Sequence, residues 1–378
     1  MFMWNLAKHA SHPAQPSAIN PPAPPCPESG RLPGPFSNCG LPEFPAVGEP
    51  VMGNMAYWGG HVQVQPKVYL VYWGWGRPNA FREPCSRVRL AEGRVHATLK
   101  CDPHGVGKLM ADFVSQMGGT EWAGVQTQYY ETVNGRAVHI ANPKNQLGRI
   151  WVDDSSHLDT SKYVPDNSLL AGTPADNGDD GGRIYRQMAQ EAAKAVAHFH
   201  IKDLANTNIV IAQPEQFSDP AAASVGYCAF HDYTQPVLEN GWYNGIKPGI
   251  SYTNMPYVYS QGSGCGANLV NSGPSGRTDG VTVALGHEIE ETVTDPGAED
   301  ILADGTQLGG WYDPFDANEN GDKCAYVGEF TPGQPGAAGN IRGNRGRMFA
   351  VQSLWSNAAA LGAGYCAGAG TDLPLPNG

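Results

Sequence analysis

The sequence predicts an α/β (α+β) fold. Stretches with helical periodicity alternate along the chain with short apolar runs typical of buried strands, and no internal repeat or interior linker divides them. We therefore expect one folded domain at residues 51–370. A Pro-rich N-terminal arm at residues 1–50 precedes it, because the run PPAPP at 21–25 favours extended chain over a core element. The 48 Gly and 31 Pro residues predict long loops.

Each element follows from a local pattern. Apolar residues at helical spacing predict helices at residues 105–117 and 183–200, and a third helix begins at Thr278 or Asp279 and ends near Thr294, before Asp-Pro-Gly. Alternating or continuous apolar runs predict strands. The predicted strands are residues 61–75, 149–152, 208–212, 249–257 and 347–355, and the polar stretch at residues 174–182 is predicted to be a loop.

Charge and composition exclude several classes of function. The formal net charge is −12 and the chain has no Lys/Arg run, which argues against a nucleic-acid or anionic-membrane partner. No run of 18 apolar residues predicts a membrane span. G-x-S-x-G, G-x-G-x-x-G and Walker motifs are absent, so a serine-hydrolase elbow or a nucleotide cofactor is not predicted.

The eight cysteines predict disulfide bonds. Their number is even and no C-x-x-C pair occurs, which favours disulfides in an oxidising compartment over a metal ribbon; buried reduced thiols are the alternative. We expect a secreted protein, although residues 1–10 show no clear signal sequence. Simple nesting predicts the pairs Cys26–Cys39, Cys85–Cys101, Cys228–Cys265 and Cys324–Cys366.

The third predicted helix contains a candidate metal motif, His-Glu-Ile-Glu-Glu. His287 and Glu291 are four residues apart and therefore share one helix face, where an imidazole and a carboxylate can bind zinc. Glu288 occupies the position of the general base in HExxH hydrolases, and the second histidine of that motif is replaced by glutamate. The alternative is an amphipathic helix with a solvated acidic face.

A third ligand is predicted 25 to 40 residues downstream. Glu319 followed by Asp322 is similar to the arrangement in gluzincins, where a Glu binds the metal and a nearby Asp orients a ligand. Two alternatives stay open. Residues 316–322 (DANENGD) look like the start of a calcium loop, although Val327 stands where such loops have a closing Glu. The segment is otherwise a plain Asn/Gly turn.

Several further stretches resemble the phosphate-induced, exordium-like family of plants and its bacterial relatives. They are residues 68–76 (VYLVYWGWG), 227–233 (YCAFHDY), 250–257, 287–296 (HEIEETVTDP), 311–312, 319–324 (ENGDKC) and 349–366. The resemblance implies a secreted or cell-wall-associated protein with a zincin-like single domain: a mixed sheet, an active-site helix and long loops. It implies His287, Glu291 and Glu319 as ligands and Glu288 as base. Position 229 is Ala where the family has Gly.

Two functions follow from this site. In a zinc-dependent, metallopeptidase-like hydrolase, Glu288 would take a proton from a bound water, and His231, Tyr233 or Tyr312 would stabilise the oxyanion. One His with two carboxylates neutralises a divalent ion and admits Ca²⁺ or Mn²⁺ as alternatives to Zn²⁺, which fits slow hydrolysis or binding alone. A non-catalytic module would bind a protein, a peptide or a cell-wall polymer through exposed aromatics. The candidates for that role are Trp73, Trp75, Trp242 and Trp311, of which at least two are expected to belong to the core instead. The sequence leaves open whether the chain is an enzyme, and its oligomeric state.

Overall fold

The fold is described from a computed structural model. The described residues are 53–82, 101–160, 180–220, 222, 227–234, 249–297, 305, 307–315, 317–325, 338–362 and 364–369. The predicted N-terminal arm lies outside these ranges, as do Cys26, Cys39, Cys85 and Trp242. Most of the predicted loop at 174–182 also lies outside them, and its last three residues begin a helix.

The elements are as follows. The helices are α1 (Val106–Met117), α2 (Glu121–Gly124), α3 (Asp180–Phe199), α4 (Gly273–Gly276) and α5 (Asp279–Thr294). The strands are β1 (Ala56–Tyr57), β2 (Lys67–Trp73), β3 (Tyr130–Val133), β4 (Arg136–His139), β5 (Leu147–Asp153), β6 (Thr207–Ala212), β7 (Phe230–Tyr233), β8 (Ser251–Met255), β9 (Trp311–Tyr312), β10 (Gly339–Arg342), β11 (Met348–Val351), β12 (Leu354–Ser356) and β13 (Tyr365–Ala367). Short 3₁₀ helices include Val258–Cys265 and Asp322–Cys324.

A five-stranded mixed sheet forms the centre of the described structure. Its order is β5-β2-β6-β8-β7, with the first four strands parallel and β7 antiparallel to β8 at one edge. Strands β6 and β8 are buried along their whole length, as expected for parallel strands covered on both faces. The predicted α/β class is confirmed.

Helices cover both faces of this sheet. Ile209 and Ile211 of β6 pack with Met188 and Ala192 of α3 on one face. Val210, one residue between them, packs on the other face with the core that includes α1 and α5. This alternation follows from the two-residue period of a strand. It leaves α5 between the sheet and the C-terminal strands.

Helix α5 is buried on every side. The apolar residues Val281, Leu285 and Ile289 are 0% exposed, but Glu288 and Glu291 are also only 2% and 0% exposed. The alternative of a solvated acidic face is therefore wrong. Packing is closest at the start of the helix, where a Cβ on Gly280 would lie 1.7 Å from the carbonyl oxygen of Cys265.

Three predicted strands are shorter than the sequence indicates, and the one predicted at 249–257 spans only Ser251–Met255. The strand predicted at 61–75 begins only at Lys67, directly after Pro66, which has no amide hydrogen for the ladder. The strand predicted at 347–355 is split, because Gln352 and Ser353 stand between β11 and β12. The split matters for the site, because the side chain of Gln352 contacts His287 of α5.

The disulfide bonds of the described residues agree with the sequence. The predicted bonds Cys228–Cys265 and Cys324–Cys366 are present. Cys101 is also disulfide-bonded, while its predicted partner lies outside the described residues. For these five cysteines the reduced-thiol alternative is wrong. None of the helices in the described ranges has the length and apolar character to cross a bilayer.

Candidate metal centre

The helix motif brings His287 and Glu291 together, as their spacing predicts. The distance from His287 Nε2 to Glu291 Oε1 is 3.0 Å. Asp322, from the segment after β9, approaches the same nitrogen, with its Oδ1 at 3.3 Å. All three side chains are buried. One imidazole nitrogen therefore faces two carboxylates, and all three groups are at most 5% exposed to solvent.

A second imidazole enters from the edge strand of the sheet. Phe230 and His231 are consecutive in β7 and so face opposite sides, Phe230 toward α3 and His231 toward α5. His231 Nδ1 lies 3.2 Å from Glu288 Oε2 and 3.6 Å from Glu291 Oε2. Its other nitrogen, Nε2, lies 3.2 Å from Glu319 Oε1. The sequence suggested His231 only as an oxyanion donor, but the structure places it among the acidic residues of the motif.

The segment that carries Glu319 and Asp322 is held against α5 by hydrogen bonds. The backbone amide of Asp322 donates to Glu291 Oε1 at 3.0 Å, and that of Trp355 donates to the carbonyl of Asn320 at 2.9 Å. The Asn320 side chain is turned into the core. Its Nδ2, which has two hydrogens to donate, lies 2.9 to 3.1 Å from three acceptors: Gln126 Oε1, the Glu290 carbonyl and Thr294 Oγ1. Asp316 and Val327, the ends of the suggested calcium loop, lie outside the described residues.

Each imidazole is oriented by a hydrogen bond through its other nitrogen. His287 Nδ1 lies 3.1 Å from Gln352 Oε1, and Gln352 Nε2 donates to the Gly321 carbonyl at 2.7 Å, which fixes the amide orientation. His231 Nε2 donates to the Asp295 carbonyl at 3.2 Å. Metal-binding histidines are held in this way in many proteins. Sequence reasoning missed the supporting roles of Gln352 and Asp295, because both contacts depend on tertiary packing that no local pattern signals.

These contacts leave both rings with acceptors at both nitrogens. A neutral imidazole has one N–H, so its second nitrogen would turn a lone pair toward carboxylate oxygens. Only a proton or a metal cation there removes the repulsion. Burial alone lowers the pKa of His287, but the carboxylates of Glu291, Asp322 and Glu288 outweigh it and raise that pKa well above the ordinary value. The same carboxylates would favour a bound cation, and His and carboxylate donors are ligand types that Zn²⁺ and Mn²⁺ accept.

The third acid of the motif takes no part in this cluster. Glu290 is 1% exposed and lies near Gln126, and burial raises the pKa of its carboxyl to about 8. At neutral pH it is therefore mostly protonated.

The other predicted residues lie elsewhere. Tyr312 is in β9, where its ring stacks on Trp58 with the centroids 4.7 Å apart, so its role as an oxyanion donor stays a prediction. Trp73, Trp75 and Trp311 are at most 8% exposed. They belong to the core, which confirms the expectation for at least two of the four candidates, and these three do not form an exposed aromatic binding face.

The fold and the centre define a disulfide-bonded α/β protein with a buried cluster of two histidines and four carboxylates. Among curated proteins, the chain is similar to Protein EXORDIUM-like 5 of Arabidopsis thaliana, at 25% identity over 252 residues. The match covers 57% of this chain and 63% of the plant protein, so the chain spans less than two thirds of its relative. This similarity supports a distant relationship to exordium-like proteins and, with the disulfides, is compatible with an extracellular location. No family model and no solved structure matches the chain significantly.

Proposed function

We propose that this chain is an extracellular metal-binding protein whose centre holds divalent metal and ties α5 to β7 and to residues 319–322. One observation carries the proposal: two oriented imidazoles face carboxylates at 3.0 to 3.6 Å in a buried site. Buried carboxylates are costly unless they are paired or bind a cation. Zinc is the proposed metal, with Mn²⁺ and Ca²⁺ as alternatives, because a carboxylate-rich donor set is hard enough to accept them.

The metal content of the purified full chain tests this function. We expect at least one equivalent of zinc per chain in the wild type, and a loss of metal together with a lower melting temperature in His287→Ala. Exposed His139 in β4 offers the matched control, since His139→Ala removes an imidazole that belongs to neither group of candidate donors and should keep the metal. A wild type that contains no metal under conditions that do not strip it, and gains none on incubation with Zn²⁺, would refute the proposal.

A second candidate function is metal-dependent hydrolysis of a peptide or a cell-wall polymer. The specific observation is that Glu288 Oε1 lies 4.0 Å from His287 Nε2, beside the first imidazole. A bound cation would supply Lewis acidity and a water of lowered pKa. Glu288 would then accept the proton from that water, and His231 would stabilise developing negative charge.

Glu288→Gln separates this candidate from a non-catalytic metal protein. For a hydrolase, activity on a panel of peptide and polysaccharide substrates should fall by about 10²- to 10⁴-fold, because the general base is lost. The metal content should stay at the wild-type level. Absence of turnover by the fully metal-loaded wild type across the panel would leave binding as the function.

A further inference from the structure

We propose that the centre binds two divalent cations bridged by the carboxylate of Glu291. The inference rests on the proposed metal-binding function and extends it from one cation to two. The donor atoms of the described residues fall into two groups of three, and within each group all atoms lie within 4.8 Å of one another. One group is His287, Glu291 and Asp322, and the other is His231, Glu288 and Glu291. Neither group contains both histidines.

The first group surrounds His287 Nε2. Glu291 Oε1 lies at 3.0 Å and Asp322 Oδ1 at 3.3 Å from this nitrogen. The ring cannot turn to offer Nδ1 instead without breaking the contact of that nitrogen with Gln352 Oε1. These three donor atoms define the first cation position.

The second group surrounds His231 Nδ1. Glu288 Oε2 lies at 3.2 Å and Glu291 Oε2 at 3.6 Å. The opposite nitrogen of the ring donates to the Asp295 carbonyl and has Glu319 Oε1 at 3.2 Å. Glu319 therefore lies behind the histidine, where a carboxylate makes the imidazole a stronger ligand. This placement differs from the expectation that Glu319 ligates directly.

Glu291 connects the two positions because its two oxygens face different rings, Oε1 toward His287 and Oε2 toward His231. A carboxylate used in this way is the usual bridge between two metal ions. Two histidines with four carboxylates is also the composition of dinuclear carboxylate centres in helical bundles; here three of the carboxylates are donors and the fourth, Glu319, contacts the far side of the His231 ring. When all four carboxylates are ionised they carry four negative charges. With neutral imidazoles, two divalent cations balance this charge, whereas one divalent cation leaves two negative charges unbalanced.

The two-cation arrangement changes the role of Glu288. Its Oε2 becomes a ligand of the second cation, whereas the hydrolase candidate makes it a general base beside a single cation. The two roles differ in metal content: Glu288→Gln loses one cation in the first case and none in the second.

Manganese reports both the number of bound cations and whether two cations lie close together. The full chain would be equilibrated with Mn²⁺, freed of excess metal by desalting, and examined by elemental analysis and electron paramagnetic resonance. We expect two equivalents per chain with an exchange-coupled spectrum, because cations in two-metal sites lie about 3.5–4 Å apart. Glu288→Gln and Asp322→Asn should each reduce the content to one equivalent with the uncoupled signal of isolated Mn²⁺. Glu290→Gln, a change in the same helix outside both groups, should keep two coupled ions.

The outcomes separate the two proposals. Two coupled equivalents in wild type that become one in both ligand variants would support the dinuclear centre. One equivalent at saturating Mn²⁺, or two without coupling, would overturn the bridged pair and leave the proposed metal-binding function standing. No equivalent with either Mn²⁺ or Zn²⁺ would overturn both. Circular dichroism of each variant checks that the variant is folded, so that the loss of an ion is not caused by unfolding.

Discussion

Replacing both Cys324 and Cys366 with alanine is expected to lower the free energy of unfolding by about 4 kcal/mol, the value for freeing a loop of this length in the unfolded chain. The bond joins residues 42 positions apart and anchors the Asp322–Cys324 turn to β13. Asp322 is two residues before Cys324, so we also expect weaker metal binding at His287. Urea unfolding and a zinc titration measure the two effects.

The Cys228–Cys265 pair is the matched control for this experiment. Its sequence separation of 37 predicts a similar entropic loss of about 4 kcal/mol. Its removal should weaken metal binding at His287 less, because Cys228 and Cys265 lie outside the segment that carries Asp322. Equal weakening by both double variants would show that the Cys324–Cys366 bond has no special connection to the centre. The ion pair of Lys323 with Asp313 limits the effect, since it still holds the segment when the disulfide is gone.

A single methyl group at position 321 is expected to weaken metal binding by about 10- to 100-fold, the usual range for a disturbed ligand-supporting residue. A Cβ there would lie 2.8 Å from His287 Nδ1 and 3.0 Å from Glu291 Oε1. The backbone itself tolerates alanine, because φ at Gly321 is −75°. The cost therefore falls on the imidazole, which must leave its hydrogen bond to Gln352.

Gly264→Ala is the control for Gly321→Ala. A Cβ at Gly264 meets no atom within 4 Å, so this variant should bind zinc as the wild type does. Titration of both variants with zinc, together with their melting temperatures, makes the comparison. Unchanged zinc affinity in Gly321→Ala would mean that His287 is not a ligand in the position described.

Much of the fold could be predicted because its elements carry strong local patterns. The helices at 105–117 and 278–294 have clear apolar periodicity or sharp ends, and the structure has them at Val106–Met117 and Asp279–Thr294. The strand at 347–355 was predicted as one piece, since its apolar residues are almost continuous. The break at Gln352 and Ser353 comes from tertiary contacts, which a local pattern does not contain.

The candidate centre was predictable only where its residues share an element. The four-residue spacing of His287 and Glu291 is a property of one helix, so geometry alone brings them together. His231 lies in a strand far away in sequence, and its approach to Glu288 depends on the order of strands in the sheet. The local sequence of residues 230–233 does not predict that β7 lies beside β8 at the sheet edge. Gln352 was missed for the same reason.

The wide spread of the donors along the chain has a consequence for how the protein matures. The rings, the carboxylates and the supporting amide come from residues 231, 287–291, 319–322 and 352, which meet only when the edge strand, α5 and the C-terminal strands have docked. The chain must lose the entropy of closing these long loops before the contacts between the donors can form and stabilise it. A cation thus cannot start this fold. The cation can stabilise the protein only after these elements have docked. We therefore expect metal uptake to occur later than the recovery of secondary structure during refolding.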